Sequence, residues 1–255
     1  MKINGLGFLL EKIVILWYFH NQREVNRVGR FSRTELLIGK DALDKLSKAK
    51  VAIFGIGGVG TYVAEGLTRA GVGNFKLVDK DVVDETNINR QLVALTSTIG
   101  KNKVDVMTER MMDINPDVKI KKYKEFFLPN SSHDMFEDDI DYVVDAIDNV
   151  SAKLELIRVA NERGFRIISS MGAGNKLNPT QLEVADIYDT QICPLAKVIR
   201  REVKKMGVEK LKVVYSKEKP IKEFNDSNVC GSVSFVPSVA GLIIVSEVVK
   251  DLIKE

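Results

Sequence analysis

Cysteine is scarce in this chain, with Cys193 and Cys230 the two among 255 residues. A pair so far apart, with no C-x-x-C spacing, cannot build a disulfide framework or a four-thiolate zinc knuckle, and it points to a reducing compartment, the cytoplasm. Histidine is as rare, at His20 and His133. Neither stands beside a cysteine in the sequence, so both thiols are expected to be small packed residues and not nucleophiles. An excess of one charge is missing too: 38 Lys and Arg face 35 Asp and Glu, and the net of +3 is too small to make the whole chain a polyanion binder. The apolar stretch from Leu6 to Phe19 contains Glu11 and Lys12, and it stops short of the roughly 17–25 residues that a membrane-spanning helix needs. No small-residue cleavage site follows it. Integral membrane association and export are therefore not expected, and residues 1–29, which hold the sole tryptophan, Trp17, read as an appended extension with the true start near Val25 or Val28. Linker-like runs and internal repeats are absent, so residues 30–255 are expected to form one domain. A change of rhythm near residue 175 divides that domain into a core, 30–174, and an extension, 175–255.

What is present is ordinary globular composition, 45% hydrophobic and 29% charged with 18 glycines. Val51–Gly55 is a continuous apolar run ending in glycine, the pattern of a strand buried on both faces. Thr61–Ala70 places Val63, Ala64, Leu67 and Ala70 on one helical face, and Phe75–Val78 reads as a second strand. Helix and strand patterns then alternate: helices at Lys103–Ile114 and Ala152–Arg163, strands at Val118–Tyr123, Tyr142–Val144 and Arg166–Ser170. Further on come strands at Leu182–Ile187 and Leu211–Tyr215 and helices at Leu195–Met206 and Pro237–Ile253. Alternation of this kind predicts an α/β fold, a doubly wound, Rossmann-like and mostly parallel sheet that the last elements extend.

Gly55, Gly57 and Gly60, with Gly58 between the last two, satisfy G-x-G-x-x-G directly after a buried strand and at the opening of a helix, the context in which glycines admit a phosphate to the backbone. Asp79, at the end of the second strand, suits a ribose hydroxyl. On these features alone a nicotinamide-dependent oxidoreductase stays open. The run from Asp79 through Asp81, Asn87 and Arg90 to Gln91 argues for different chemistry, because it packs carboxylates, amides and a guanidinium where a ligand's phosphates would lie. Splitting a triphosphate needs cations at the phosphates and a carboxylate for Mg²⁺. Lys103 and Asp148 supply a second cation and a metal ligand.

Arg30-Phe31-Ser32-Arg33, the glycine loop, residues 79–91, Gly100-Lys101-Asn102-Lys103 and Asp145-Ala146-Ile147-Asp148-Asn149 occur in that order. Together they resemble the adenylating domain shared by ubiquitin-activating enzymes and the bacterial ThiF and MoeB proteins. The resemblance implies ATP, Mg²⁺ and adenylation of a carboxylate. It implies Asp79 on the ribose, with Asp81 and Gln91 in the same nucleotide site. Asn87, Arg90 and Lys103 would lie on the phosphates and Asp148 on Mg²⁺, while Arg33 would be delivered across a homodimer to the partner's ATP. The paired C-x-x-C motifs of sulfur-carrier-activating members are missing. Residues 178–187, Pro194-Leu195-Ala196 and Gly231-Ser232 resemble instead the tRNA threonylcarbamoyladenosine dehydratase branch. That branch implies adenylation and cyclisation of the threonyl carboxylate next to the anticodon, and leaves open a sulfur-handling partner. Activation of a ubiquitin-like sulfur carrier's carboxyl terminus is the alternative.

An RNA substrate should leave an electrostatic footprint. Between Lys197 and Lys222 stand Lys197, Arg200, Arg201, Lys204, Lys205, Lys210, Lys212, Lys217, Lys219 and Lys222, against Glu202, Glu209 and Glu218. The excess fits phosphate-backbone binding, with the first seven cations as the candidates. A solvated helix face is the alternative reading. The lysines of residues 119–124 read as protection of a sheet edge.

Overall fold

The computed structural model describes residues 29–129, 133–137, 139–221 and 230–254; the expectations for Trp17, His20 and Lys222 lie outside them. Two short helices, α1 (Ser32–Ile38) and α2 (Lys40–Lys48), lead into β1 (Lys50–Phe54). Four residues of β1 are fully buried, as its apolar run requires. It is flanked by β2 (Asn74–Val78) and β4 (Tyr142–Asp145), both parallel to it. Helix α3 (Gly60–Ala70) makes the crossover from β1 to β2 and ends at Gly71 in the left-handed conformation. Helix α4 (Lys103–Ile114) precedes β3 (Lys119–Tyr123), α5 (Val150–Arg163) follows β4, and β5 (Ile167–Ser170) comes next.

Beyond β5 the chain forms β6 (Leu182–Asp186), α6 (Pro194–Lys205), β7 (Lys212–Ser216) and α7 (Phe235–Ile253). The seven strands run in the order β3-β2-β1-β4-β5-β7-β6, all parallel except β6, which pairs antiparallel with β7. The last two strands extend the same sheet, and the expected doubly wound α/β architecture is what the chain adopts. Strand order reverses between β1 and β4. A crevice opens at such a switch point, beyond the strands' carboxyl ends.

Apolar side chains cover both faces. Val51, Ile53, Leu77 and Val144 pack with residues of α3, α4 and α7, while Ala52, Phe54 and Val143 pack with Leu156 of α5 and with Phe127 and Phe136. The rings of Phe54 and Phe136 stack at 5.5 Å. A third cluster joins α6 to β7 through Ile199, Val203, Val213 and Tyr215. β3 does lie at a sheet edge, and its lysines face outward there. Among the described residues no helix is long and apolar enough to cross a membrane.

Candidate active site

The backbone leaves β1 at Gly55 with φ of +91°, a conformation that favours glycine. A Cβ there would sit 2.6 Å from the Ala146 carbonyl oxygen, and one on Gly60 would sit 1.8 Å from that of Gly55. The turn itself therefore demands both glycines. Gly57 differs: a Cβ would meet nothing nearer than Gln91 Nε2, at 3.8 Å. The space beside it belongs to a crevice of about 740 Å³, which Gly55, Gly58 and Val59 also line. Helix α3 starts here with no capping side chain, so the partial positive charge of its amino terminus lies beside the crevice.

Asp79 follows β2 and grips this turn. Its Oδ2 accepts the Ile56 N–H at 2.6 Å and its Oδ1 the Asp81 N–H at 2.8 Å. Burial raises its pKa above the ordinary 3.8, against the lowering pull of those two N–H groups and of Lys103. Lys103 opens α4, is nearly fully buried, and donates from Nζ to Asp81 Oδ2 at 2.9 Å. The Arg90 guanidinium donates to the Thr86 carbonyl at 2.8 Å and to Asn89 Oδ1 at 2.9 Å. Asn89 in turn donates to the Ser232 carbonyl, fastening the run 79–91 to the segment that precedes α7. Asp148, just past β4, is exposed and also lines the crevice. Asp79, Asp81, Arg90, Gln91, Lys103 and Asp148 thus line one crevice with the glycine loop.

Asn87 is not among the lining residues. It is buried, and its Oδ1 accepts the Asp84 N–H at 3.2 Å. Its carbonyl accepts the N–H groups of Arg90 and Gln91, so it holds the turn that presents them rather than facing the crevice itself. Arg33 lies exposed on α1 and does not line the crevice of its own chain. The expected RNA-binding cations all lie outside the crevice. Arg200 is bonded to the carbonyl and hydroxyl of Thr190, and Lys212 is paired with Glu247 and Asp251. Both have internal work that a charge count cannot see. Cys193 is buried as expected, whereas Cys230 is exposed on the crevice wall, because the chain before α7 folds along the 171–174 segment.

Several contributors lie outside the motifs. Phe126, Phe127 and Met171, with Ile147 from the 145–149 motif, give the crevice an apolar side, and Lys80 Nζ is 4.4 Å above the Phe126 ring. Beneath the floor, fully buried Lys153 donates to Asp145 Oδ2, to Ser169 Oγ and to the Ser170 carbonyl. Its signal in the sequence is a lysine on the apolar face that Ala152, Leu156, Ile157 and Ala160 make for α5.

The donor set suits Mg²⁺. That ion takes one or two carboxylates and completes its shell with water and phosphate oxygens. The described residues contain no cluster of three or more metal-ligating side chains, but they do offer the Asp148 carboxylate. They also offer Gln91 Oε1, a buried oxygen on the crevice with no hydrogen-bond partner.

The model of the ThiF family matches residues 31–255. The chain belongs to the ThiF family. A tRNA threonylcarbamoyladenosine dehydratase of Bacillus subtilis is 44% identical over 242 residues, 89% of this chain and 95% of the relative. Crystal structures of E. coli tRNA N6-threonylcarbamoyladenosine dehydratase, TcdA, in complexes with AMP and with ATP match at a TM-score of 0.83 and 34% and 33% identity. Each comparison covers 88% of this chain and 94% of the other. A more distant relative, the adenylyltransferase and sulfurtransferase UBA4 of Candida glabrata, is 32% identical over 67% of this chain but only 39% of its own length.

Proposed function

We propose that this ThiF-family chain is an ATP-dependent tRNA threonylcarbamoyladenosine dehydratase working in the cytoplasm, where its tRNA substrate resides. The observation that carries the reading is the crevice, which the glycine loop, Arg90, Lys103 and Asp148 line together. Likeness to dehydratases over nearly their full length supports it.

The glycine loop and the amino terminus of α3 would receive the phosphates, and the carboxylate of Asp79 would accept hydrogen bonds from the ribose hydroxyls. Asp148 would hold Mg²⁺ together with the phosphates, aided by Gln91 Oε1; when bound, the ion supplies charge neutralisation on the triphosphate. Arg90 and Lys103 would carry the charge that builds as the threonyl carboxylate attacks the α-phosphorus and pyrophosphate leaves. Ring closure then displaces AMP, which takes with it one oxygen of the carboxylate, so the nucleoside loses the elements of one water. No side-chain nucleophile is required, in keeping with a site whose main contribution is position and charge. A homodimer would bring Arg33 to a second crevice. Leu36 and Leu37 on the same helix are 81% and 85% exposed, an apolar surface suited to such a contact.

The test is incubation with ATP, Mg²⁺ and tRNA carrying threonylcarbamoyladenosine, followed by digestion and mass spectrometry for the loss of one water. Arg90→Ala and Asp148→Ala are each expected to cut AMP formation by about a hundredfold or more while leaving the thermal midpoint unchanged. Retained turnover in both variants would remove these residues from the site. Pyrophosphate exchange that needs a carrier protein and ignores tRNA would transfer the chain to the sulfur-carrier-activating branch.

A further inference from the structure

Helix α6 begins on the rim of the crevice and leads away from it. Leu195 lines the crevice, while its neighbours Pro194 and Val198 line a separate groove of about 660 Å³. Ala196, Ile199 and Val203 turn inward. Lys197, Arg201 and Lys204, at i, i+4 and i+7, form an exposed stripe along that groove. The helix carries five cations to one carboxylate, and that carboxylate, Glu202, pairs with Arg201 and Lys205. Among the described residues neither Lys197 nor Lys204 has an ion-pair partner. Tyr188 completes the wall with its ring, since its hydroxyl is donated to the Val208 carbonyl.

We propose that this ridge of Lys197, Arg201 and Lys204 is the docking surface for the phosphate backbone of the tRNA beside the modified adenosine, a proposal that rests on the dehydratase reading. The stripe runs about 10 Å along the helix axis, the span of roughly three phosphates of one strand. It starts where an adenosine reaching into the crevice would leave its neighbours outside. Arg200 and Lys212 are not part of it, because their donors are engaged within the fold. Phosphate contacts of this kind fix register and carry no base information.

The experiment uses the full chain, tRNA carrying threonylcarbamoyladenosine as the probe, and a salt series. The double variant Lys197→Glu with Lys204→Glu is expected to lose roughly tenfold or more in tRNA affinity, and its salt slope should fall by about two, one per lost phosphate. ATP affinity should be unchanged, and the loss of turnover should appear in KM for tRNA and not in kcat. Lys45→Glu with Lys48→Glu, on exposed positions of α2, alters net charge equally. A ridge variant that binds tRNA no worse than this control overturns the proposal and assigns the ridge to an acidic protein surface. So does a wild-type chain with no affinity for the tRNA. A wild-type chain that binds tRNA through the ridge and never forms AMP upholds the docking surface while ending the dehydratase reading.

Discussion

The two ends of the sheet are both crowded with charge, and they are finished in opposite ways. At the amino ends, the Tyr142 hydroxyl and the Lys212 ammonium both donate to Asp251 Oδ2, and Lys212 also reaches Glu247. Arg166 donates to the carbonyls of Asp141 and Asp251. These bonds tie α7 to the strands and leave the groups occupied. At the carboxyl ends, Asp148 is exposed on the crevice, Gln91 Oε1 has no partner, and the open side of Gly57 meets nothing nearer than Gln91 Nε2 at 3.8 Å. Density of polar groups therefore does not mark the site in this fold. Unused hydrogen-bonding capacity facing a cavity does.

The strongest way to break that contrast is to disturb the layer under the crevice, where the carboxyl end resembles the amino end in being fully paired. Lys153→Met leaves the Asp145 carboxylate buried without its cation. A loss of about 3–5 kcal/mol in denaturant unfolding is expected, largely recovered when Asp145→Asn is added. If the single variant keeps its stability and loses only turnover, Lys153 belongs to the reacting site and the floor is not a separate structural layer.

Asp251→Asn probes the other end. Burial pushes the Asp251 carboxyl up, but Lys212 and Tyr142 outweigh it and hold the pKa below the ordinary 3.8. Because the folded-state value is depressed, the stabilisation is present above pH 3.8 and is lost as pH falls through the lower folded value. The variant is expected to be about 1–3 kcal/mol less stable at neutral pH. Its unfolding curve should converge on that of the wild type in acid, and its ATP turnover should stay unchanged. A variant that unfolds like the wild type at pH 7 would show that the amino-end cluster is ornament on an already stable sheet.

The order of elements was legible because each strand of the core is a short apolar run and each helix repeats at 3.6 residues; Val51–Gly55 followed by the glycine loop admits few other folds. The crevice was legible for the same reason, since Asp79, Lys103 and Asp148 sit at or just past the ends of recognisable elements and Arg90 lies in the charged run that starts at Asp79. Partnerships were not. Lys212 meets Glu247 and Asp251 far along the chain, so counting it with its sequence neighbours gave it a free charge that it does not have. Asn87 shows the same limit within three residues: the amide is visible in the sequence, but the turn's direction, which faces it inward to Asp84, is not. The antiparallel setting of β6 likewise leaves no mark, because a strand's side-chain alternation reads the same in either direction.

The smallest change in stability is expected at Gly57, and it gives the sharpest reading of the contrast. Gly55 and Gly60 are held by contacts that the protein makes with itself, whereas the space beside Gly57 is bounded only by Gln91 at 3.8 Å. Gly57→Ala should therefore melt like the wild type in buffer. With saturating ATP and Mg²⁺ the two should separate, because the stabilisation a ligand gives grows with its affinity, and the added methyl occupies the room that a phosphate would take. An equal ATP-induced shift in both would mean that the triphosphate lies elsewhere in the crevice. In that event the glycines of this loop serve only the turn, and the carboxyl end of the sheet would have to be read, like the amino end, as structure.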